Sequence, residues 1–265
     1  MEKRFFVPEP RVFAHRGAPL EFPENTIPSF RRAVEIGADV IETDLHFTRD
    51  GRFVVMHDED LEVMSDGKGK ATGYTLAELK KLDAGYNFTR DGGKTHPFRG
   101  KGVAFSSLEE VLEEFPGQRF NCDLKDRNPG QAANFAEVIK KMDAGHRVLV
   151  ASETYANTRA ARRLIPGLAT SFAVWEALAF YFLFRSGLLL FKKRFAPDAL
   201  QIPEYLGPSH VVNEALVRMA HDRRLRVHVW TVNEEKDMRR LFGAGVDAII
   251  SDEPALLRRV AGEYF

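Results

Sequence analysis

The chain is almost without cysteine: Cys122 is the only one in 265 residues, so no internal disulfide can form and a reducing compartment fits. It has no excess of either charge, with 38 basic and 38 acidic side chains. That balance offers no footprint for a nucleic-acid backbone, and nucleic acid is not an expected partner. The opening MEKRFFVPEPR is charged and interrupted by prolines, so it lacks the apolar core of a secretory signal, and a cytoplasmic location is expected. What is present is 44% hydrophobic residues over a length that suits one large α/β barrel or two domains, enough to bury a substantial core.

Short apolar strands alternate with helical patterns along most of the chain, which argues for parallel strands joined by helices. Strand-like segments occur at residues 12–14, 40–47, 53–57, 120–124, 148–151, 169–172, 199–202, 227–231 and 247–251. That is one more than an eight-stranded barrel uses. Asp50-Gly51 resolves the excess: as the centre of a two-residue turn it makes residues 53–57 the antiparallel return of the second strand, outside the barrel wall. Residues 60–104 are Gly-rich and charged, with a capping box at Thr75-x-x-Glu78, and form no barrel unit. A second box stands at Ser107-x-x-Glu110. The expectation is a single catalytic (β/α)8 TIM barrel over residues 1–265, with a hairpin and a small insertion, 60–104, after the second strand.

In such barrels the reactive groups sit at the carboxyl ends of the strands. Those ends carry His15-Arg16, then Glu42 and Asp44, then Asp123 and Lys125, then Trp230 with Asn233, then Asp252. Alternation sends Glu42, Asp44 and His46 to one strand face. With Asp50-Gly51 as the turn, Arg49 pairs with Arg52 and Asp44 lies opposite His57. Oxygen ligands in this number suit a hard divalent cation, Mg2+ or Ca2+, better than zinc. Arg16 and Lys125 suit a phosphate, and two histidines suffice for a general acid and a general base. His46, His96, His146, His210, His221 and His228 each read first as satisfied structural side chains. Trp230 is read as a substrate contact, with packing in the barrel mouth as its competitor.

The set His15-Arg16-Gly17, Glu24-Asn25-Thr26, Glu42-x-Asp44, His57-Asp58, residues 82–85 (LDAG), residues 230–233 (WTVN) and Gly245-x-Asp247-x-Ile249-Ile250-Ser251-Asp252-x-Pro254 resembles the glycerophosphodiester phosphodiesterase family, in the family's order and over nearly the whole chain. The resemblance implies a TIM barrel, a divalent metal, and hydrolysis of glycerophosphodiesters to glycerol 3-phosphate and an alcohol. It implies His15 and His57 as the acid/base pair, with His57 the base. Glu42 and Asp44 are implied as metal ligands, and Arg16 and Lys125 as phosphate contacts. The family commonly carries glutamate two residues before this lysine. Here Asp123, one methylene shorter, stands as the third ligand, and looser or water-mediated ligation is expected. A scaffold has no need of these residues, and a metal-dependent aldolase or isomerase does not call for two histidines beside a phosphate clamp.

Residues 173–191 read AVWEALAFYFLFRSGLLLF, almost without the polar stripe of an outer barrel helix, and Lys192-Lys193-Arg194 follow. Glu176 and Arg185 argue against a membrane span. Three expectations follow: a helix covered by a second subunit in a homo-oligomer; peripheral contact of residues 173–194 with a membrane, at its inner surface; or a greasy wall over the site that accepts an acyl chain. The last two make the alternative substrate a lysophospholipid and the alternative activity a lysophospholipase D.

Overall fold

The computed structural model describes residues 2–128 and 130–265. Its strands in chain order are β1 (Val12–His15), β2 (Val40–Phe47), β3 (Phe53–Val55), β4 (Arg119–Leu124), β5 (Val148–Ala151), β6 (Ala169–Thr170), β7 (Ala199–Pro203), β8 (Tyr205–Leu206), β9 (Ser209–His210), β10 (Arg226–Trp230) and β11 (Ala248–Ser251). The helices are α1 (Ile27–Ile36), α2 (Leu61–Met64), α3 (Leu76–Leu79), α4 (Leu108–Glu114), α5 (Gln131–Lys141), α6 (Tyr155–Leu164), α7 (Val174–Arg185), α8 (Glu214–His221), α9 (Glu235–Gly243) and α10 (Pro254–Ala261). Neighbouring strands run β6-β5-β4-β2-β1-β11-β10-β7, and a parallel bridge between Ser171 and Ala199 joins the two ends. The result is the expected (β/α)8 barrel, with β3 outside the wall, paired to β2 and bridged on its other side from Val54 to Ser107.

Local chemistry sets the element ends. Both capping boxes form: Thr75 starts α3 and Ser107 starts α4, each hydroxyl accepting from the N3 amide while the N3 glutamate reaches back. Gly37 ends α1 in the left-handed region at φ 85.

Alternation along each strand then divides the core. Outward residues such as Val12, Ile41, Leu45, Cys122 and Val150 pack beneath the helices. Inward residues Phe13, Val40, Leu149, Ala169, Ala199, Ala248 and Ile250 form a separate cluster, closed by Phe5 and Phe6 from the N-terminal segment. The charged, proline-interrupted start of the chain thus supplies the floor of the barrel.

His228 belongs to this floor. Its ring lies 4.8 Å from that of Phe13 and 6.4 Å from that of Phe6. Gln201 Nε2 donates to Nδ1 at 3.2 Å, which leaves the proton on Nε2, a buried atom with no partner among the described residues. Burial presses its pKa down to about 4. The structural reading of this histidine therefore stands.

The hairpin departs from expectation by one residue. Its register is Leu45↔Val55, His46↔Val54 and Phe47↔Phe53. Thr48 N donates to Arg52 O at 2.8 Å and closes a loop of Arg49, Asp50 and Gly51. Asp50 and Gly51 do turn the chain, but as part of a three-residue loop with Gly51 in the left-handed region at φ 74. Arg49 therefore does not pair with Arg52, and Asp44 stands opposite Met56, whose amide donates to Asp44 O at 3.1 Å. A one-residue slip would send His57 to the wrong face. β3 ends at Val55, however, and the chain bends at His57.

Between β3 and α4 the chain wraps a satellite core of Val54, Met56, Leu61, Leu79, Val103 and Phe105 with α2 and α3. The apolar stretch 173–191 is not one helix. α7 stops at Arg185, Gly187 adopts φ 75, and Leu188–Phe191 form a separate 3-10 turn. Among the described residues, no helix is long and apolar enough to cross a membrane.

The floor predicts an acid-sensitive core. An unfolded histidine binds a proton near pH 6.5, whereas folded His228 refuses it until about pH 4. The unfolded chain therefore binds more protons within that window, and stability falls as pH drops through it, by about 3 kcal/mol from this group alone. Denaturant unfolding at pH 7 and pH 4 checks this: His228→Leu should lose about 3 kcal/mol less than the wild type on acidification.

Candidate active site

The loop after β1 is shaped by backbone conformations that most residues avoid. Arg16 sits at φ 54, Gly17 at φ 94 and Asn25 at φ 57. A Cβ on Gly17 would lie 2.3 Å from Ser29 Oγ. That hydroxyl is already committed, accepting from Ala18 N at 2.8 Å and donating to Arg16 O at 3.0 Å. Arg16 N donates to Glu42 O, and Asn25 N to Arg16 O, each at 3.0 Å. The turn thus lashes His15, Arg16 and Asn25 to the rim of β2.

Parallel pairing of β2 with β4 sets Glu42 beside Asn121 and Asp44 beside Asp123. Asp44 is fully sequestered and held on every side. Asn25 Nδ2 donates to Oδ2 at 3.0 Å, Arg16 Nε lies 3.2 Å from the same oxygen, and Lys125 Nζ is 2.8 Å from Oδ1. The same ammonium donates to Asp123 Oδ2 at 2.7 Å. Burial works to raise the Asp44 pKa, but Lys125, Arg16 and His57 outweigh it and hold the carboxyl below its usual range. Glu42 has no such cation at contact distance. Burial, then the charge of Asp44, push it up to about 8. Asp123 is also raised, by burial first, against the pull of Lys125.

His15 Nδ1 donates to Asp252 Oδ1 at 2.6 Å, and its Nε2 lies 3.8 Å from Glu42 Oε2. Burial opposes the imidazolium, yet the Asp252 hydrogen bond and the Glu42 charge win and raise the His15 pKa. Asn233 fixes Asp252 in turn, donating to its Oδ2 at 2.7 Å and accepting from its amide at 2.9 Å. His57 is set from behind: His46 Nε2 donates to the His57 carbonyl at 2.8 Å, while His46 Nδ1 contacts Asp126 Oδ1 at 3.0 Å. Both ring nitrogens of His46 face acceptors, so its pKa is raised even though burial works against the charge.

One cavity of about 510 Å³ takes in His15, Arg16, Glu42, Asp44, His57, Asp123, Lys125 and Trp230. Its other wall is apolar, built by Phe172, Val174, Ala177, Leu178, Tyr181 and Leu206 among others.

The donor set bears on a cation in two ways. Among the described residues, no three His, Cys, Asp or Glu side chains converge closely enough to hold an ion as they stand. Lys125 instead neutralises Asp44 and Asp123. Glu42, however, is a buried carboxyl with no Lys or Arg side chain in contact, only the His15 ring at 3.8 Å. Its neighbour Asn121 turns into the same cavity and has a buried Oδ1 with no partner among the described residues. Oxygen-only donors of this kind fit a hard divalent cation.

Comparison with known proteins decides the family. The pattern of the Glycerophosphoryl diester phosphodiesterase family matches residues 15–256. The chain belongs to that family. It is 33% identical over 255 residues to a glycerophosphodiester phosphodiesterase of Caldanaerobacter subterraneus subsp. tengcongensis, covering 93% of this chain and 95% of the relative. It is 27% identical over 269 residues to a lysophospholipase D of Homo sapiens, covering 92% and 84%. Among solved structures, an Oleispira antarctica phosphodiesterase in complex with the product sn-glycerol-3-phosphate superimposes with a TM-score of 0.76 at 25% identity, covering 97% of this chain and 98% of that one. The resemblance read from the sequence motifs is therefore correct, and the chain is a phosphodiester hydrolase.

The structure adds three residues to this candidate site that the motifs do not assign to it. Asp252 was visible as a strand-end carboxylate, but its hydrogen bond to His15 spans 237 positions. His46 has a structural reading in the sequence, although its alternation with Asp44 places it on the site face. Asn121 precedes Asp123 by two and so shares its strand face, which the same alternation could have shown.

The loop predicts a strict glycine. Gly17→Ala must adopt a φ of 94 and push into Ser29, and it should cost about 3 kcal/mol in denaturant unfolding. The neighbouring Ala18→Gly should lie within about 1 kcal/mol of the wild type.

Proposed function

We propose that this phosphodiesterase hydrolyses glycerophosphodiesters to glycerol 3-phosphate and an alcohol by acid–base catalysis between His15 and His57. The observation that carries the reading is the shared cavity: two histidines, two cations and four carboxylates, Glu42, Asp44, Asp123 and Glu153, face one space large enough for such a substrate. Arg16 and Lys125 bind the phosphate and offset the charge that grows on its oxygens in the transition state. His57 removes the proton from the attacking hydroxyl, either water or the 2-hydroxyl of the substrate's own glycerol; the internal attack expels the alcohol and leaves a cyclic phosphate, which water then opens to glycerol 3-phosphate. His15 protonates the leaving oxygen. The Asp252 carboxylate at 2.6 Å favours its cationic form and supports the role of acid. Trp230, 44% exposed at the rim, packs on the glycerol or the alcohol.

Glu42, Asp44 and Asp123 would hold Mg2+ or Ca2+. When bound, the ion supplies Lewis-acid stabilisation of the phosphoryl oxygens. Asn121 Oδ1 supports this reading as an uncharged oxygen donor beside Glu42.

The apolar wall favours a second substrate class. A glycerol carrying an acyl chain places that chain along Phe172, Ala177, Leu178 and Tyr181, making the substrate a lysophospholipid and the activity a lysophospholipase D. The name of the human relative agrees with this reading. Such a substrate resides in membranes, so the reading also calls for contact between residues 173–194 and a bilayer.

Turnover of glycerophosphocholine tests the histidines. His15→Ala and His57→Ala should each lower kcat by about a thousandfold with unchanged circular dichroism, and near-normal turnover in either variant would remove that residue from the chemistry. Chelation tests the cation. A chelator should abolish turnover, Mg2+ or Ca2+ should restore it, and calorimetry should show one ion bound by the wild type and none by Glu42→Ala/Asp44→Ala. Full activity in chelator would contradict the metal site.

A further inference from the structure

Most outer helices of the barrel turn charge to the surface, as α9 does with Glu235, Arg239 and Arg240 in ion pairs. α7 and the turn that follows it do the opposite. Trp175 is 76% exposed, Phe182 66% and Phe191 85%, joined by Leu178, Leu188 and Leu190. Only Phe180 of α7 and Leu189 of the turn are buried. A contiguous apolar face of this kind marks a contact surface.

Two features say what it contacts. The first is charge. Residues 174–194 carry Arg185, Lys192, Lys193 and Arg194 against Glu176 alone. Glu176 is occupied, accepting from Ala173 N at 3.0 Å and lying 3.6 Å from Arg162. Among the described residues, none of the four cations forms an ion pair with a carboxylate. Lys193 and Arg194 border a cavity that also holds Glu2, Glu9, Asp198, Asp222 and Asp247 without pairing to any of them. The face therefore combines exposed aromatics with cations free to turn to a partner, the pairing that suits an anionic lipid surface. The second is continuity. Val174 and Leu178 are exposed on this face and also line the catalytic cavity, and Leu206, half-exposed, lines it as well. The apolar surface therefore continues from the outer face into the site through Val174 and Leu178. A second copy of the chain seated there would cover the entrance at Val174 and Leu178, whereas a fluid bilayer would feed it.

We propose that α7 and residues 188–194 seat the protein on a bilayer containing anionic lipid. Trp175, Phe182 and Phe191 enter the interface, and Lys192, Lys193 and Arg194 lie against the headgroups. The cavity mouth opens at the edge of the seated face and takes an acylated substrate from the membrane plane. The docking surface stands on the exposed face itself; only its coupling to substrate rests on the lysophospholipid reading.

Vesicle flotation tests it, with phosphatidylcholine alone and with added phosphatidylglycerol. The wild type should float with the anionic vesicles and remain soluble with the neutral ones. The triple variants Trp175→Ser/Phe182→Ser/Phe191→Ser and Lys192→Gln/Lys193→Gln/Arg194→Gln should each bind at least about tenfold less. Both should keep wild-type turnover of soluble glycerophosphocholine, which also shows that they fold, and should lose about tenfold on lysophosphatidylcholine embedded in anionic vesicles. Wild-type protein that stays soluble with anionic vesicles overturns the proposal, as do variants that float like the wild type. A dimer in sedimentation equilibrium that the aromatic variant dissociates, with no vesicle binding, overturns it in favour of a second copy. If the wild type floats but the aromatic variant loses nothing on embedded lysophospholipid, the substrate coupling fails while docking stands. A wild type inactive on glycerophosphocholine fails the hydrolytic reading instead.

Discussion

Everything at the rim of this barrel follows from the need to hold Glu42, Asp44 and Asp123 together away from water. Parallel pairing of β2 with β4 fixes Asp44 beside Asp123, and Glu42 lies one pleat below. Two carboxylates at an interstrand spacing of about 4.8 Å repel by roughly 3 kcal/mol at an effective dielectric of about 20. The Lys125 ammonium offsets this for the upper pair, at 2.8 and 2.7 Å. Glu42 has only the His15 ring nearby, at 3.8 Å, and burial with the Asp44 charge outweighs both it and Lys125 and raises the carboxyl. Asn121 Oδ1, without a partner among the described residues, stands beside Glu42 at the same level of the barrel.

That constraint explains the supporting structure. Asn25 adopts a left-handed backbone and spends its amide on Asp44, Thr43 and the Asp44 N–H. Gly17 makes the turn that brings Asn25 there. Asp252 and Asn233 orient His15, while His46 and Asp126 hold the backbone of His57. Each histidine is thus anchored from a different side of the barrel, and the cavity is charged at its base and apolar toward α7. The opposite end needs none of this: Phe5, Phe6 and Phe13 close it with a neutral His228 among them.

Much of this was legible in the chain. The strand count, both capping boxes and the Gly37 stop come from local preferences that hold wherever the segment sits. The motif positions of His15, Arg16, Glu42, Asp44, His57, Asp123, Lys125 and Trp230 all border one cavity. The hairpin shows the limit of local reasoning. Asp50-Gly51 announced a turn, but a two-residue and a three-residue loop differ by one step of register. Packing of Leu45 and Val55 into the main core, and of Val54 and Met56 into the insertion's core, chose between them. The apolar run 173–191 likewise announced something unusual, while its break at Gly187 and the exposure of Trp175 and Phe191 follow from how it lies on the wall.

By itself, then, the sequence determined the barrel class, the hairpin's existence, and which residue types stand at the strand ends, because alternation and capping act between near neighbours. Tertiary structure decided which of those groups meet. The Asp252 contact to His15, the Lys125 bridge, the His46 support and the two walls of the cavity all join residues from different strands or loops. Closure of the sheet sets their distances, and no local preference encodes it.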